Sequence, residues 1–565
     1  MLYSKLCEVY EKLESTTKGL EKTSILAEFL KEIVSEPETI YLLQGRFFAD
    51  YDEKETGISE QLAIKSISKS SGISEDKVVK EFKKVGDLGK TAESLMSSGK
   101  QQSLFTQKLT TQKVLENLRK LPETEGKGAV DRKFGIISEL MNSASAKEAK
   151  YIIRTILGDL KVGIGSGLLR DSIVEFAFHP KDIEEKKQKG ELIQNALDKS
   201  TDFAEVFEKS AKGEKELEKI TLEPGRPVKV MLYPKAKDIK DAFEIVGKPA
   251  AFEFKYDGFR MMINKDENGE IKIFTRRLDN VTAQFPDAVK SVENVHADTF
   301  IIDCEAVGYD FKTKKYKPFQ DISQRIKRKY DIEKLEKELP VELNVFDIIY
   351  YNGKSLIEEP FKERRKVIEK IIKQVPFKIK LAEQIITDSE DEAEKFYNKA
   401  LEENQEGLMA KNLDSIYKPG ARIGYAVKLK PDPNEFDLII TGAEYGTGKR
   451  AGWLTSFDVS CKDENGNLFE IGKVSTGLKE KEEEGLSFVE LTRELKKIII
   501  SEDGKHIQVK PEIIATVGYQ NIQASPTYTS GYAMRFPRMI VLRPDKSLKD
   551  VATLEDVKNE AKKGN

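Results

Sequence analysis

The sequence predicts a multidomain protein: an all-α N-terminal domain over residues 1–220, a mixed α/β (α+β) domain over 221–430 and a small C-terminal β-barrel over 431–565. Three observations carry that prediction. Apolar residues recur at helical spacing through the N-terminal part. A Pro/Gly stretch, Glu223-Pro224-Gly225-Arg226-Pro227, then marks a change of pattern, and beyond Lys430-Pro431-Asp432-Pro433 short alternating runs and turns take over. The length of 565 residues fits about three to four domains at roughly 150 residues each.

In chain order, Leu6, Val9, Tyr10 and Leu13 form one helical stripe and Ile25, Leu26, Phe29 and Leu30 another, so amphipathic helices should pack together here. Glycine breaks at Val85–Gly89 and Lys161–Gly167 read as helix connectors. The second lacks a dinucleotide fingerprint, because Leu168 stands where Gly-x-Gly-x-x-Gly needs its last glycine. In the C-terminal part, Phe436–Gly442, Ser456–Ser460 and Ile513–Tyr519 read as strands. Gly448-Lys449-Arg450 is not a P-loop, because Ala443 and Arg450 occupy its glycine and Ser/Thr positions.

Composition excludes several chemistries. The 94 basic residues nearly cancel the 97 acidic ones, for a net charge of -3, so any polyanion-binding surface must come from segregated patches. Cys7, Cys304 and Cys461 lie too far apart for a disulfide framework or a Cys-rich zinc ribbon. His179, His296 and His506 show no zinc-hydrolase spacing. The N-terminus carries acidic residues where a signal peptide needs its apolar stretch, so a cytoplasmic protein without a membrane span is expected. Abundant Lys and Glu with few Cys, Met and His match the bias of heat-adapted proteins.

The sharpest local signal is Ala250–Arg260. Its period of two places Phe252, Phe254 and Tyr256 on one strand face and Glu253, Lys255 and Asp257 on the other, and Asp257-Gly258 reads as a hairpin turn. Downstream, Asp303 and Glu305 share one face of an otherwise apolar strand, which is costly unless cations or donors satisfy them. Glu406 precedes a run ending in Lys411, and Lys428 and Lys430 alternate onto one face, an arrangement suited to phosphates. Together these supply a nucleophilic amine, oxygen ligands for Mg²⁺ and cations for a phosphate chain.

The order of these segments resembles the covalent nucleotidyltransferases and, within them, the ATP-dependent DNA ligases of archaeal type. The segments are Lys255-Tyr256-Asp257-Gly258, Phe274–Arg277, Ile302–Glu305, Val345-Phe346-Asp347, Glu406–Met409, Val427–Lys430 and Met534–Arg538 with Arg543–Lys546. Glu148–Gly158 extends the likeness into the helical region. The resemblance implies a helical DNA-binding domain, an adenylation (nucleotidyltransferase) domain and an OB-fold domain. It implies that Lys255 attacks the α-phosphate of ATP, beside the cations Lys428 and Arg260, and carries AMP as a phosphoramidate. Transfer of AMP to the 5′-phosphate at a nick and sealing by the 3′-hydroxyl would follow.

By the same resemblance Glu253 contacts adenine and Phe346 stacks on it. Arg260, Arg276 and Arg422 contact the nucleotide or the DNA end, and Glu305 and Glu406 hold Mg²⁺, with Mn²⁺ as the substitute ion. Lys428 and Lys430 steady the α-phosphate, and Arg535, Arg538 and Lys546 orient pyrophosphate or the DNA end. The implied partner is nicked duplex DNA, met by a monomer. Gln101, Leu104 and Phe105 resemble a shortened sliding-clamp motif. Ala426-Val427 departs from the family's tryptophan before the last lysines, so packing there must differ. The competing readings are an RNA ligase or guanylyltransferase, to be separated by nucleotide preference, and a noncatalytic DNA- or clamp-binding protein.

Overall fold

The computed structural model describes every residue except 50, 53, 55, 100–107, 318, 327, 329–330, 421–423, 432–433, 447–449, 451, 481–484 and 564–565. The chain divides into two compact units, Met1–Lys430 and Pro431–Asn565.

The first unit begins with helices running from Tyr3–Glu14 to Glu214–Glu218. The first predicted stripe is buried, and Leu26, Phe29 and Leu30 of the second join the same core while Ile25 packs at its edge. Helix Ala146–Ile156 starts with a capping box in which Ser145 and Glu148 satisfy each other's backbone amides. The Pro/Gly stretch is tied on both sides. Thr201 donates to Pro227 O (3.1 Å), Arg226 pairs with Glu205 (3.0 Å) and Gly225 N–H donates to Asn264 Oδ1 (3.2 Å).

Two antiparallel sheets follow. The first has the order β10-β9-β1-β8, from β1 (Ala250–Lys255), β8 (Gln384–Thr387), β9 (Gly407–Asn412) and β10 (Ala426–Leu429). The second contains β2 (Phe259–Lys265), β3 (Ile271–Thr275), β4 (Phe300–Gly308), β5 (Val341–Tyr351) and β6 (Lys354–Ser355) in the order β3-β2-β4-β5-β6. Its one parallel member, β7 (Ile379–Leu381), pairs with β5. On the first sheet Phe252, Phe254, Leu408, Ala410, Val427 and Leu429 face one apolar core, and burying each large side chain contributes roughly 1.5–3 kcal/mol. Ala426-Val427 is fully packed without the tryptophan.

The predicted hairpin after β1 does not form. β1 and β2 belong to different sheets, and Asp257-Gly258 carries the chain from one to the other. Glycine is needed there for close approach, since a Cβ on Gly258 would stand 2.4 Å from Ala306 O. Gly407 is more demanding still: its φ is +134° and a Cβ would meet Leu429 O at 2.1 Å. Gly407→Ala is therefore expected to lose at least about 2 kcal/mol of stability through backbone strain and a forced-apart β9–β10 pair. An unchanged melting midpoint would show that the strand pair yields freely.

The second unit is built on β11 (Asn434–Tyr445), with β12 (Leu454–Lys462) and then β13 (Leu468–Val474) on one side. On the other lie β16 (Ile514–Tyr519) with β19 (Arg538–Leu542), and β15 (His506–Val509) with β14 (Ile499–Asp503); β17 (Ile522–Ala524) and β18 (Tyr532–Met534) pair separately. The predicted barrel is thus observed as one seven-stranded antiparallel sheet. Leu438, Phe457, Val459, Ile471 and Val517 form its core with Leu491 of helix Phe488–Lys496.

Candidate active site

The polar face of the first sheet collects the predicted residues by register. Glu253, Met409 and Lys428 lie in one row, and Lys255 lies opposite Gly407. Lys255 Nζ sits 2.6 Å from Glu406 Oε2, and Lys430 pairs with the same oxygen. The Glu406 amide in turn donates to Lys255 O (2.8 Å), fixing the carboxylate at the end of β1. Burial would raise the Glu406 carboxyl, but Lys255 and Lys430 outweigh it and hold it below the usual range. Burial and then the charge of Lys255 push the Lys430 ammonium down. The cation grouped with Lys255 at Glu406 is therefore Lys430. Lys428, half-buried one row away, is anchored through its backbone to Pro234 O (2.9 Å).

From the second sheet, Glu305 on β4 approaches this cluster. Burial pushes its carboxyl up to about 8, against the pull of Lys255 and Arg260. Its register partner Arg260 is engaged elsewhere. The guanidinium grips Asp303 with two nitrogens, through Nε at 2.7 Å and through Nη2, and also donates to Met231 O (3.0 Å). The buried Tyr417 hydroxyl touches both members of the pair, Asp303 at 3.1 Å and Arg260 at 3.2 Å. This satisfies Asp303, one of the two costly carboxylates, and leaves Glu305 as the other.

At the opposite end of the row Glu253 is only 2% exposed. Its oxygens meet Lys411 (2.6 Å), Gln384 (2.9 Å) and Arg365 (3.4 Å). Phe346 stands over this group, with Lys411 Nζ 4.8 Å and the Arg260 guanidinium 5.3 Å from its ring centroid. A register shift makes Phe346 the unpaired residue between Val345 and Asp347 of β5, and such a bulge re-aims a side chain. Arg364 locks the bulge by gripping Asp347 at 2.7 and 2.9 Å. Tyr417, Arg365, Gln384 and Arg364 carry no signal in the sequence. Lys411 does, as the lysine that ends the run beginning at Glu406.

Arg276 lies exposed just past the end of β3. Arg422 falls outside the described residues, as do Gln101, Leu104 and Phe105. In the second unit Lys546 is ion-paired with Asp437, Arg535 lies over Phe536 (5.0 Å) and Arg538 is exposed at the start of β19. Among the described residues, no three or more His, Cys, Asp or Glu side chains are grouped to hold a metal ion, and no helix is long and apolar enough to cross a membrane.

Comparison with known proteins decides the family. A model described as "ATP dependent DNA ligase domain" matches residues 230–430, "DNA ligase N terminus" matches 2–174 and "ATP dependent DNA ligase C terminal region" matches 450–546. The DNA ligase of Nanoarchaeum equitans is 45% identical over 99% of this chain and 98% of its own length. The chain belongs to the ATP-dependent DNA ligases. Within this family the DNA ligase of Thermococcus fumicolans is 41% identical over 99% of the chain and 98% of its own length. A solved structure titled Pmar-Lig_Pre, 16% identical, covers 95% of the chain and 98% of its own at a TM-score of 0.54, a likeness of fold. The three-part ligase architecture, helical at the N-terminus and sheet-rich at the C-terminus, is thus shared, and the chain is an enzyme of this class and not a noncatalytic binding protein.

Proposed function

We propose that this enzyme seals nicks in duplex DNA with ATP, in replication, repair and recombination, through a lysine-bound AMP and an adenylated DNA end. The observation that carries this reading is the amine of Lys255 set 2.6 Å from Glu406 and beside Lys430, on the sheet face that also holds Glu253 and Lys428. The nitrogen of Lys255 forms a bond to the α-phosphorus while the α–β anhydride bond breaks and pyrophosphate leaves. Glu406, already in contact with the amine, is placed to take its proton. Lys428 and Lys430 meet the charge that develops on the phosphate. AMP then passes to the 5′-phosphate of the nick, and the 3′-hydroxyl displaces it.

Phe346 supplies an aromatic face and Glu253 with Lys411 a polar edge for adenine. Arg260, oriented by Asp303 and Tyr417, together with Arg276 and Arg422, takes the nucleotide or the DNA-end phosphate. Glu305 and Glu406 offer two hard oxygen donors, and Glu305 has no cation paired to it among the described residues; this suits Mg²⁺ or Mn²⁺, which binds through one or two carboxylates plus substrate phosphates. Such an ion would neutralise phosphate charge. In the second unit, Arg535, Arg538 and Lys546 would serve the leaving pyrophosphate or the DNA end. An OB-type barrel there is supported by Met539 N–H donating to Thr476 O (2.9 Å), which joins β19 to the segment after β13. Residues 1–220 would bind the duplex, 221–430 perform adenylation and 431–565 form the barrel, in a cytoplasmic monomer.

The test is incubation with Mg²⁺ and α-phosphate-labelled ATP without DNA. Label is expected to survive denaturation on the protein and to chase onto nicked duplex DNA with release of AMP. Folded, non-adenylated protein that takes no label would overturn the reading.

A further inference from the structure

A hairpin outside the nucleotide cluster carries features that adenylation does not use. It runs from Tyr309 to Tyr316, closed by the bridge between those residues and starting directly after β4, the strand that bears Glu305. Its tip reads Asp310-Phe311-Lys312-Thr313-Lys314-Lys315, three lysines and an aromatic in six positions.

The tip is ordered from within. Asp310 Oδ1 accepts from the amides of Lys312 (3.0 Å) and Thr313 (2.8 Å) and from the Thr313 hydroxyl (3.0 Å). Backbone bonds between Asp310 and Lys314 and between Asp310 and Lys315, both 2.8 Å, close the turn, with Lys314 at φ 59°. This rigid turn holds Phe311 64% exposed, an apolar ring kept in water. Lys314 Nζ rests 4.3 Å from the Phe311 centroid and 4.8 Å from that of Phe377, so the cation and the ring are presented together. Lys312, Lys314 and Lys315 form no ion pair among the described residues, and Asp310, the carboxylate on the same turn, is occupied by the bonds above.

The base of the hairpin lies against the apolar face at the end of β1, the face opposite the Lys255 amine. The Tyr316 hydroxyl accepts from Lys380 (2.9 Å), whose Nζ also lies 6.0 Å from the ring centroid of Tyr256, the neighbour of Lys255. Just beyond, the Phe319 amide donates to Asp257 Oδ2 (3.4 Å). Asp257 in turn acts on the charge of Lys430, which shares Glu406 with Lys255, so the segment leaving the hairpin reaches the cluster to which a DNA end is delivered. Preordered cations with an exposed ring fit a polyanion whose phosphates alternate with flat sugar and base surfaces.

We propose that the Tyr309–Tyr316 hairpin is a DNA-contacting arm of the adenylation region: Lys312, Lys314 and Lys315 meet backbone phosphates flanking the nick, and Phe311 packs against the sugars between them. The proposal rests on the ligase reading, and the experiment separates the two. Binding of a nicked duplex with a 3′-dideoxy end, which cannot be sealed, is measured across a salt series. The variants are Lys312→Gln/Lys314→Gln/Lys315→Gln and Phe311→Ala, in the full chain with Asp310 kept. Each phosphate contact contributes about 0.9 to the slope of log affinity against log salt, so the triple variant should lose about 2–3 from that slope and bind about tenfold or more weakly at physiological salt. Phe311→Ala should bind about fivefold more weakly with the slope unchanged, the mark of an apolar contact. A triple variant with wild-type affinity and slope overturns the proposal. DNA-independent labelling by ATP keeps the outcomes apart. Wild-type protein without label defeats the ligase reading, whereas normal labelling with unaltered DNA binding in the variants defeats the arm alone.

Discussion

Lys255→Arg is expected to carry no more covalent label from ATP than Lys255→Ala, with nick sealing reduced by more than about 10⁴-fold in both, the scale on which enzymes fall when a nucleophile is removed. The arginine variant is the informative one. Lys255 is ion-paired with Glu406 at 2.6 Å, so a purely electrostatic role would survive a guanidinium that keeps the charge and the carboxylate partner. A nucleophilic role would not, because the guanidinium stays protonated. Both variants should still seal a nick supplied with its 5′-phosphate already adenylated, since the last step needs the 3′-hydroxyl as nucleophile and not the lysine. Measuring label on the denatured protein and sealing of the two substrates side by side checks both statements. Activity of Lys255→Arg on an ordinary nick within tenfold of wild type would remove Lys255 from the role of nucleophile.

The sequence made the nucleophile strand legible because its period of two survives folding: Phe252 and Phe254 enter the core while Glu253 and Lys255 share the other face. Helical stripes were equally readable, since Leu6, Val9, Tyr10 and Leu13 depend only on local spacing. What escaped depends on pairing between distant segments. Asp257-Gly258 has the composition of a hairpin turn, yet the close approach of Ala306 O sends β2 into another sheet. Phe346 is aimed by a bulge that exists only against β4. The partners of Glu253 come from β8, β9 and helix Phe361–Ile371, and Arg365 looks in sequence like any charged residue on an amphipathic helix. Arg260 could be placed at the site from its motif, but its two-nitrogen grip on Asp303 could not, because alternation along β4 says nothing about which strand lies beside it.

Arg154→Met is expected to destabilise the helical region by about 3–5 kcal/mol at neutral pH, the loss typical when one partner of a buried charge cluster is removed. Arg154 is 4% exposed and donates to Asp87 through Nε (3.3 Å) and Nη2 (2.9 Å) and to Glu14 through Nη1, while Lys150 reaches Glu14 at 3.1 Å. Gly89 brings the helix Leu88–Gly99 so close to Ala146–Ile156 that a Cβ there would meet Lys150 O at 2.6 Å, which leaves little room for water to replace the lost guanidinium. Burial alone would raise the Asp87 and Glu14 carboxyls. At Asp87 the bonds to Arg154 and the Lys90 amide with the charge of Lys161 outweigh it, and at Glu14 Lys150 with Arg154 does, so both are held below the usual range. The folded values are depressed, so this contribution is fully present above the unfolded carboxylate values near about pH 4 and is lost as pH falls through the lower folded values. Wild-type protein should therefore lose helical stability on acidification below about pH 4. Arg154→Met, lacking Arg154's part of that contribution from the start, should lose less over the same range. Thermal melts followed by far-UV circular dichroism across pH test this. A variant as stable as wild type at neutral pH, or one that falls as steeply in acid, would mean that the packing around Gly89 and not the charge cluster holds these helices together.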